Sequence, residues 1–289
     1  MKRGLGMKFL RYGKIGEESP AVEHDGVVFD LRPITPDIHP AFLSGDGIEE
    51  VSRAIQRGLL ESLDISGLRI GPPIVGSQAI VCIGMNYAAH ATESGSAPPE
   101  TPVLFLKHPG CVIGPDDDVI IPRGGLKTDW EVELAVVIGK EARYIDDPTE
   151  SINYIAGYTI SNDVSERAFQ IEESGGQWSK GKCSETFNPL GPFLVTPDVI
   201  PNPQDLELRS WVNNEGRQSS STRDMIFSVD YLIWHLSQYL VLRPGDIVNT
   251  GTPQGVALSG RFPYLSVGDV MKMEITGLGS QQQLLVAGD

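Results

Sequence analysis

"TDWEVELAVVIG", Thr128 to Gly139, is the stretch that decides how this chain is read. Its second half is a continuous apolar run of the kind that forms a strand covered on both faces. Its first half sets Glu131 and Glu133 one residue apart. On a strand, residues two apart project to the same face, so the two carboxylates stand side by side. Neighbouring like charges raise each other's pKa, and burial adds a desolvation penalty unless something positive answers them. An edge strand with a wetted polar face is the bland explanation of an E-x-E pair. The apolar continuation argues against it. A divalent cation held by hard oxygen ligands resolves the conflict, and it calls for a third carboxylate. The best candidate is Asp163, at the end of the next apolar run in "GYTISNDVSERAFQ", residues 157–170.

The remainder of the chain frames that strand. The 289 residues carry 23 Lys and Arg against 38 Asp and Glu, a net charge of −15. So acidic a chain is not expected to bind nucleic acid, which needs a basic face. A small anionic substrate remains compatible if a metal or a focused cationic patch compensates it. Cys82, Cys111 and Cys183 form no CxxC pair and leave one over from any pairing, which points to a reducing compartment. The basic start "MKRGLGMKFLRYGK" lacks an apolar core for a signal peptide, and no run is long enough for a membrane span. A soluble cytoplasmic protein is expected.

Residues 7–32 read as short strands with a turn at Asp25-Gly26. "SGDGIEEVSRAIQRGLLESL", residues 44–63, spaces Ile48, Val51, Ile55, Leu59 and Leu63 as a helix. The Gly/Pro-rich connector "ISGLRIGPPIVGS" suggests a boundary near residue 72, between a small domain 1–72 and a larger one 73–289. Beyond it, many short apolar runs separated by turns predict a mixed β (α+β) architecture rather than a doubly wound sheet. One helix is expected at "SVDYLIWHLSQYL", with Leu232, His235, Leu236 and Tyr239 on one face. His90 and Glu93 share a face if a short helix forms in "CIGMNYAAHATESG", a spacing that can orient an imidazole for proton transfer. "GQWSKGKC" nearly spells a P-loop, but the hydroxyl after the lysine and the preceding strand are missing. Lys180 and Lys182 remain notable as cations in an acidic chain. "NTGTPQGV", residues 249–256, is a turn whose backbone N–H groups could cradle a carboxylate.

The ordered series "GMNYAAHATESG", "PVLFLK", "DWEVELAVVIG", "GYTISNDVSERAFQ", "KGKCSETFNPLGP", "MIFSVDYLI" and "GDIVNTGTPQGV" resembles the fumarylacetoacetate hydrolase superfamily over roughly residues 77–277. The resemblance implies a β-roll catalytic domain of mixed sheets, usually dimeric, behind a small N-terminal α/β domain. It implies Mg²⁺ or Mn²⁺ held by Glu131, Glu133 and Asp163. It also places catalytic roles on His90, Glu93, Lys182, Gln170 and Arg167, and substrate contacts on Thr252, Arg167 and Lys182. One departure stands out: the fourth carboxylate ligand of true fumarylacetoacetate hydrolases is missing around Ile83. That places the chain nearer the acylpyruvase-like and 2,4-diketo-3-deoxy-sugar-acid branch, often labelled ureidoglycolate lyase. The implied reaction is hydrolysis of the C–C bond of a 2,4-diketo acid to pyruvate and a second acid. Oxaloacetate decarboxylation, isomerisation of an unsaturated dioate, and a non-catalytic 2-oxo-acid-binding module are the alternatives.

Overall fold

A computed structural model describes residues 5–93, 95 and 97–288. The chain builds a mixed α/β fold in which two open sheets share one apolar core. The strand Val132–Ile138 lies inside an 11-stranded sheet, and all seven of its residues are buried. Its neighbour Ile155–Asn162 is buried along all eight. This is the two-faced burial that the run "ELAVVIG" calls for. On its other side lies Ile247–Asn249, which pairs parallel to Ile80–Gly84; the edge strand Val103–Lys107 follows. A five-stranded sheet, built mainly from Glu207–Val212, Glu215–Ser221, Val270–Ile275 and Gly279–Ala287, packs against the pair Val132–Ile138 and Ile155–Asn162.

The N-terminal segment extends the large sheet. Lys8–Tyr12 pairs with Leu194–Val195, and Ser19–His24 and Val27–Asp30 follow it outward. Their hairpin closes through Asp25 and Gly26, both at positive φ, the left-handed pair that a two-residue turn between twisted strands requires. Arg11 and Arg69 tie the two regions of the chain through Asp37, Glu18 and Asp117.

Two helices are shorter than their apolar spacing suggests. The first ends at Gln56, because Gly58 turns left-handed; Leu59 is exposed and Leu63 belongs to a short strand. The second spans Val229–Ser237, capped by the Ser228 hydroxyl, and buries Val229, Leu232, Ile233 and Leu236. Tyr239 lies beyond its end and is exposed. Among the described residues, no helix is long and apolar enough to cross a membrane.

Candidate metal and catalytic site

Strand register assembles the site. Val132 is paired with Asn162 and Glu133 with Ser161, so the antiparallel ladder brings Asp163 opposite Glu131; the Asp163 N–H donates to the Glu131 carbonyl at 3.0 Å. On the other flank, Ala135 pairs with Asn249, which carries Gly251 to Glu133. The Gly251 N–H donates to Glu133 Oε2 at 2.8 Å. Gly251 sits at φ 101°, and a Cβ there would lie 2.8 Å from the Asn86 Cβ, so this approach needs glycine. Residues 32 and 118 positions apart thus meet where three strands end.

Glu131, Glu133 and Asp163 are all buried, and each offers an oxygen within 4.8 Å of the others. Their surroundings differ. Lys182 Nζ lies 2.7 Å from Glu131 Oε2 and 2.8 Å from Asp163 Oδ2. Arg167 donates through one terminal nitrogen to Glu131 Oε1 at 2.6 Å, through Nε to Asp129 at 2.8 Å, and through the other terminal nitrogen to Gln170 Oε1 at 2.9 Å. Burial pushes the Glu131 carboxyl up, but Lys182 and Arg167 outweigh it and hold its pKa at about 2. Glu133 has no cation hydrogen-bonded to it among the described residues, and Lys182 acts on it only at a distance. Burial first, then the Asp163 and Glu131 charges, push its pKa well above the carboxylate range. A buried carboxyl with one N–H partner and two anionic neighbours fits a divalent cation, and three oxygen donors are the ligand chemistry of Mg²⁺ or Mn²⁺.

Three contributors lie outside the sequence reading. Lys107, fully buried, donates to Asp163 Oδ1 at 2.5 Å and to the Phe187 carbonyl at 2.7 Å. Desolvation works against its charge, yet the Asp163 contact holds its pKa above the usual lysine value. Asp129 accepts from the Trp130, Ala257 and Leu258 N–H groups as well as from Arg167, so it anchors the guanidinium. Gln218 fixes Thr252, whose hydroxyl donates onward to the Val132 carbonyl.

His90 and Glu93 lie on the short helix Ala88–Glu93. Glu93 is held by the Gly255 N–H at 2.9 Å and by Arg261 at 3.0 Å. Its Oε2 lies 3.8 Å from His90 Nδ1, which is buried without a hydrogen-bond partner among the described residues. Burial lowers the imidazole pKa, opposed by the Glu131 charge. Lys180 is exposed, and Ser94 and Ser96 of the segment 88–100 lie outside the described residues. A cavity of about 280 Å³ opens on this ensemble, lined by His90, Glu131, Glu133, Arg167, Gln170, Lys182 and Thr252 on its polar side.

A mixed-sheet fold that gathers a buried carboxylate triad beside a histidine and a lysine is the arrangement of an enzyme site. The chain belongs to the family of fumarylacetoacetate hydrolase C-terminal domains, which matches residues 79–286. It is 42% identical over 282 residues to a 2,4-didehydro-3-deoxy-L-rhamnonate hydrolase of Sphingomonas sp. strain SKA58, covering 96% of this chain and 95% of that one. A fumarylacetoacetate hydrolase from Exiguobacterium antarcticum superposes with a TM-score of 0.84 at 31% identity, covering 98% of this chain and 100% of that one. A maleylpyruvate hydrolase from Sphingobium sp. SYK-6, solved with manganese and pyruvate, gives 0.81 at 26% identity, with 98% and 100% covered.

Proposed function

We propose that the protein is a divalent-metal-dependent hydrolase that splits the C3–C4 bond of a 2,4-diketo acid, giving pyruvate and a carboxylic acid. The observation that carries this reading is the cluster of three buried carboxylates, one of them without a cation in contact, two of which, Glu131 and Glu133, line a cavity that also presents His90 and Lys182. Glu131, Glu133 and Asp163 would hold Mg²⁺ or Mn²⁺; the family membership and the manganese-bound maleylpyruvate hydrolase support that choice. The ion would supply Lewis-acid stabilisation of charge on the 2-oxo acid end, worth several kcal/mol.

The chain's own groups do the rest. His90, kept neutral by burial, takes a proton from the water that attacks C4. Glu93, fixed by Gly255 and Arg261, lies close enough to orient the imidazole and favour its protonated form. Gln170 gives its carbonyl oxygen to Arg167, which leaves the amide NH₂ as a donor for the oxyanion at C4, alongside Lys182. As the oxyanion re-forms a carbonyl, the C3–C4 electron pair passes to the pyruvate fragment, which takes at C3 the proton that His90 removed from the water, and the second acid is released. Arg167 anchors Glu131 and lines the substrate cavity, and Thr252 lines the wall against which the substrate lies.

A homodimer in the cytoplasm completes the proposal. Leu104 and Leu106, exposed on the edge strand Val103–Lys107, support the former, and three unpaired cysteines the latter. The His90→Gln variant tests the chemistry. Hydrolysis of an acylpyruvate should fall about 10²- to 10⁴-fold, while any decarboxylation of oxaloacetate, which needs no attacking water, should largely survive. Equal loss of both activities, or of neither, would remove His90 from the role of base.

A further inference from the structure

Glu131 and Glu133 flank Val132, and the regular strand ladder does not hold the backbone there on both sides. Toward Ile247–Asn249 the pairing stops at Ala135 opposite Asn249. Beyond it, the backbone groups of Val132 are met by side chains. The Val132 N–H donates to Gln218 Oε1 at 3.0 Å, and the Val132 carbonyl accepts from the Thr252 hydroxyl at 3.0 Å. Those two side chains are themselves joined, because Gln218 Nε2 donates to Thr252 Oγ1 at 2.8 Å and to the Pro253 carbonyl at 2.9 Å. Gln218 Oε1 also accepts from the Ser210 hydroxyl at 3.0 Å. The amide thus commits both acceptor sites and both N–H groups, in a side chain only 2% exposed. A backbone N–H can only donate and a proline carbonyl only accept, so Val132 and Pro253 fix which end of the amide faces which.

The position of Gln218 has its own cause. It lies on Glu215–Ser221 in the smaller sheet. Ser210 pairs with Gln218 and Trp211 with Gly216, which leaves Arg217 as the extra residue of a bulge. The turn that carries Thr252 and Pro253 rests on that bulge. A Cβ at Gly255 would lie 2.3 Å from the Arg217 carbonyl oxygen, so only glycine permits the approach. The bulge and Gly255 together bring the turn within reach of Gln218, which bridges it to the metal strand.

We infer that Gln218 is a positioning residue for the metal site: it holds the backbone between Glu131 and Glu133 against the Thr252–Pro253 turn, so that the two carboxylates meet a divalent cation at a fixed spacing. This rests on the triad being the metal site of the proposed function, and it adds a residue outside the cavity lining. Partners that orient metal ligands from outside the coordination sphere are worth about 10- to 100-fold in affinity.

The test titrates Mn²⁺ calorimetrically into wild type, Gln218→Met, Gln218→Glu and Gln204→Met, with a melting curve and diketo-acid turnover for each. Gln204 is the structural control. Its amide also bridges backbone groups, accepting from the Val229 N–H and donating to the Thr222 carbonyl, and it makes no bond to the metal strand. Gln218→Met removes all four bonds and should weaken Mn²⁺ binding about 10- to 100-fold. Gln218→Glu keeps the oxygen that Val132 needs and should recover most of that loss. Gln204→Met should melt lower and bind Mn²⁺ as wild type does. If Gln218→Met does not fold, Gln218→Asn, the same amide one methylene short of Val132, takes its place with the same expected loss. A Gln218 variant that melts lower yet binds Mn²⁺ as tightly as wild type overturns the assignment, since Gln218 would then serve the fold alone. An equal loss in Gln218→Glu overturns it too, because the acceptor for Val132 would not be what matters. The expected Mn²⁺ pattern in a protein that cleaves no 2,4-diketo acid leaves the assignment standing and sinks the hydrolase reading. Wild type that binds no Mn²⁺ sinks both.

Discussion

Replacing Glu133 with glutamine separates the cost of the carboxylate triad from its use. The change keeps the shape and removes one charge. The three donor oxygens lie within 4.8 Å of one another. At an effective dielectric of about 20, two unit charges at that distance repel by 332/(20 × 4.8), or about 3.5 kcal/mol. Glu133 faces two such neighbours, with Lys182 opposing them, and relieves the strain by binding a proton. The amide needs no such relief. In chelator, Glu133→Gln should therefore melt at or above the wild-type temperature, an unusual outcome for a substitution at a fully buried site. With Mg²⁺ or Mn²⁺ at about 100 times its Kd, wild type should gain about 2.7 kcal/mol, roughly 5 °C in Tm, and the variant nothing. Thermal denaturation with and without metal reads both halves. A metal-induced shift in the variant equal to that of wild type would refute the ligand role. A drop of several degrees in chelator would refute the electrostatic argument.

Other outcomes follow from the same geometry. Lys107→Met should cost about 3–5 kcal/mol in urea denaturation, because it strips a buried partner from Asp163 and orphans the Phe187 carbonyl; a loss under about 0.5 kcal/mol would show that the ion pair contributes little. His90 is held neutral to lower pH than a free imidazole of pKa 6.5, so the acid limb of kcat/KM should fall below pH 6.5. A limb above that value would mean that the Glu93 and Glu131 charges outweigh burial. The same sign applies to stability. Because the unfolded chain binds the His90 proton first, the His90 contribution weakens as pH drops from 6.5 toward the lower folded-state pKa. A urea titration of wild type against His90→Gln between pH 5 and 8 (the span of about three units around the imidazole pKa) checks that.

What was legible in the sequence was whatever two short periodicities encode. The run from Val132 to Ile138 announced a covered strand, and the glutamates at its mouth announced a conflict between burial and like charge that a bound cation would settle. The Asp163 partner was readable because it ends the next covered strand, and an antiparallel neighbour returns to the same end. Lys107 was missed although its signal was present: in "PVLFLK" it shares the inward parity of Phe105, while Leu104 and Leu106 face out. A charged residue on the buried parity of a strand marks a committed ion pair as surely as the E-x-E does. Asp129 was hidden for another reason, since three of its four partners lie at residues 167, 257 and 258, and no local pattern predicts such closure. The helix from residue 47 was drawn too long because Leu59 and Leu63 keep the apolar spacing past Gly58, whose left-handed φ stops the helix. The apolar part of the cavity lining was not legible either, because Ile83, Phe105, Ile171 and Leu258 come from four separate segments.

The most direct test of the account is pyruvate release, followed with a coupled dehydrogenase, from acetylpyruvate, a 2,4-diketo-3-deoxy sugar acid and oxaloacetate, each with Mg²⁺ and with chelator. The account predicts pyruvate from at least one diketo acid, abolished by chelator and restored by Mg²⁺ or Mn²⁺. Pyruvate from oxaloacetate alone, or turnover of a diketo acid that chelator leaves untouched, would contradict it.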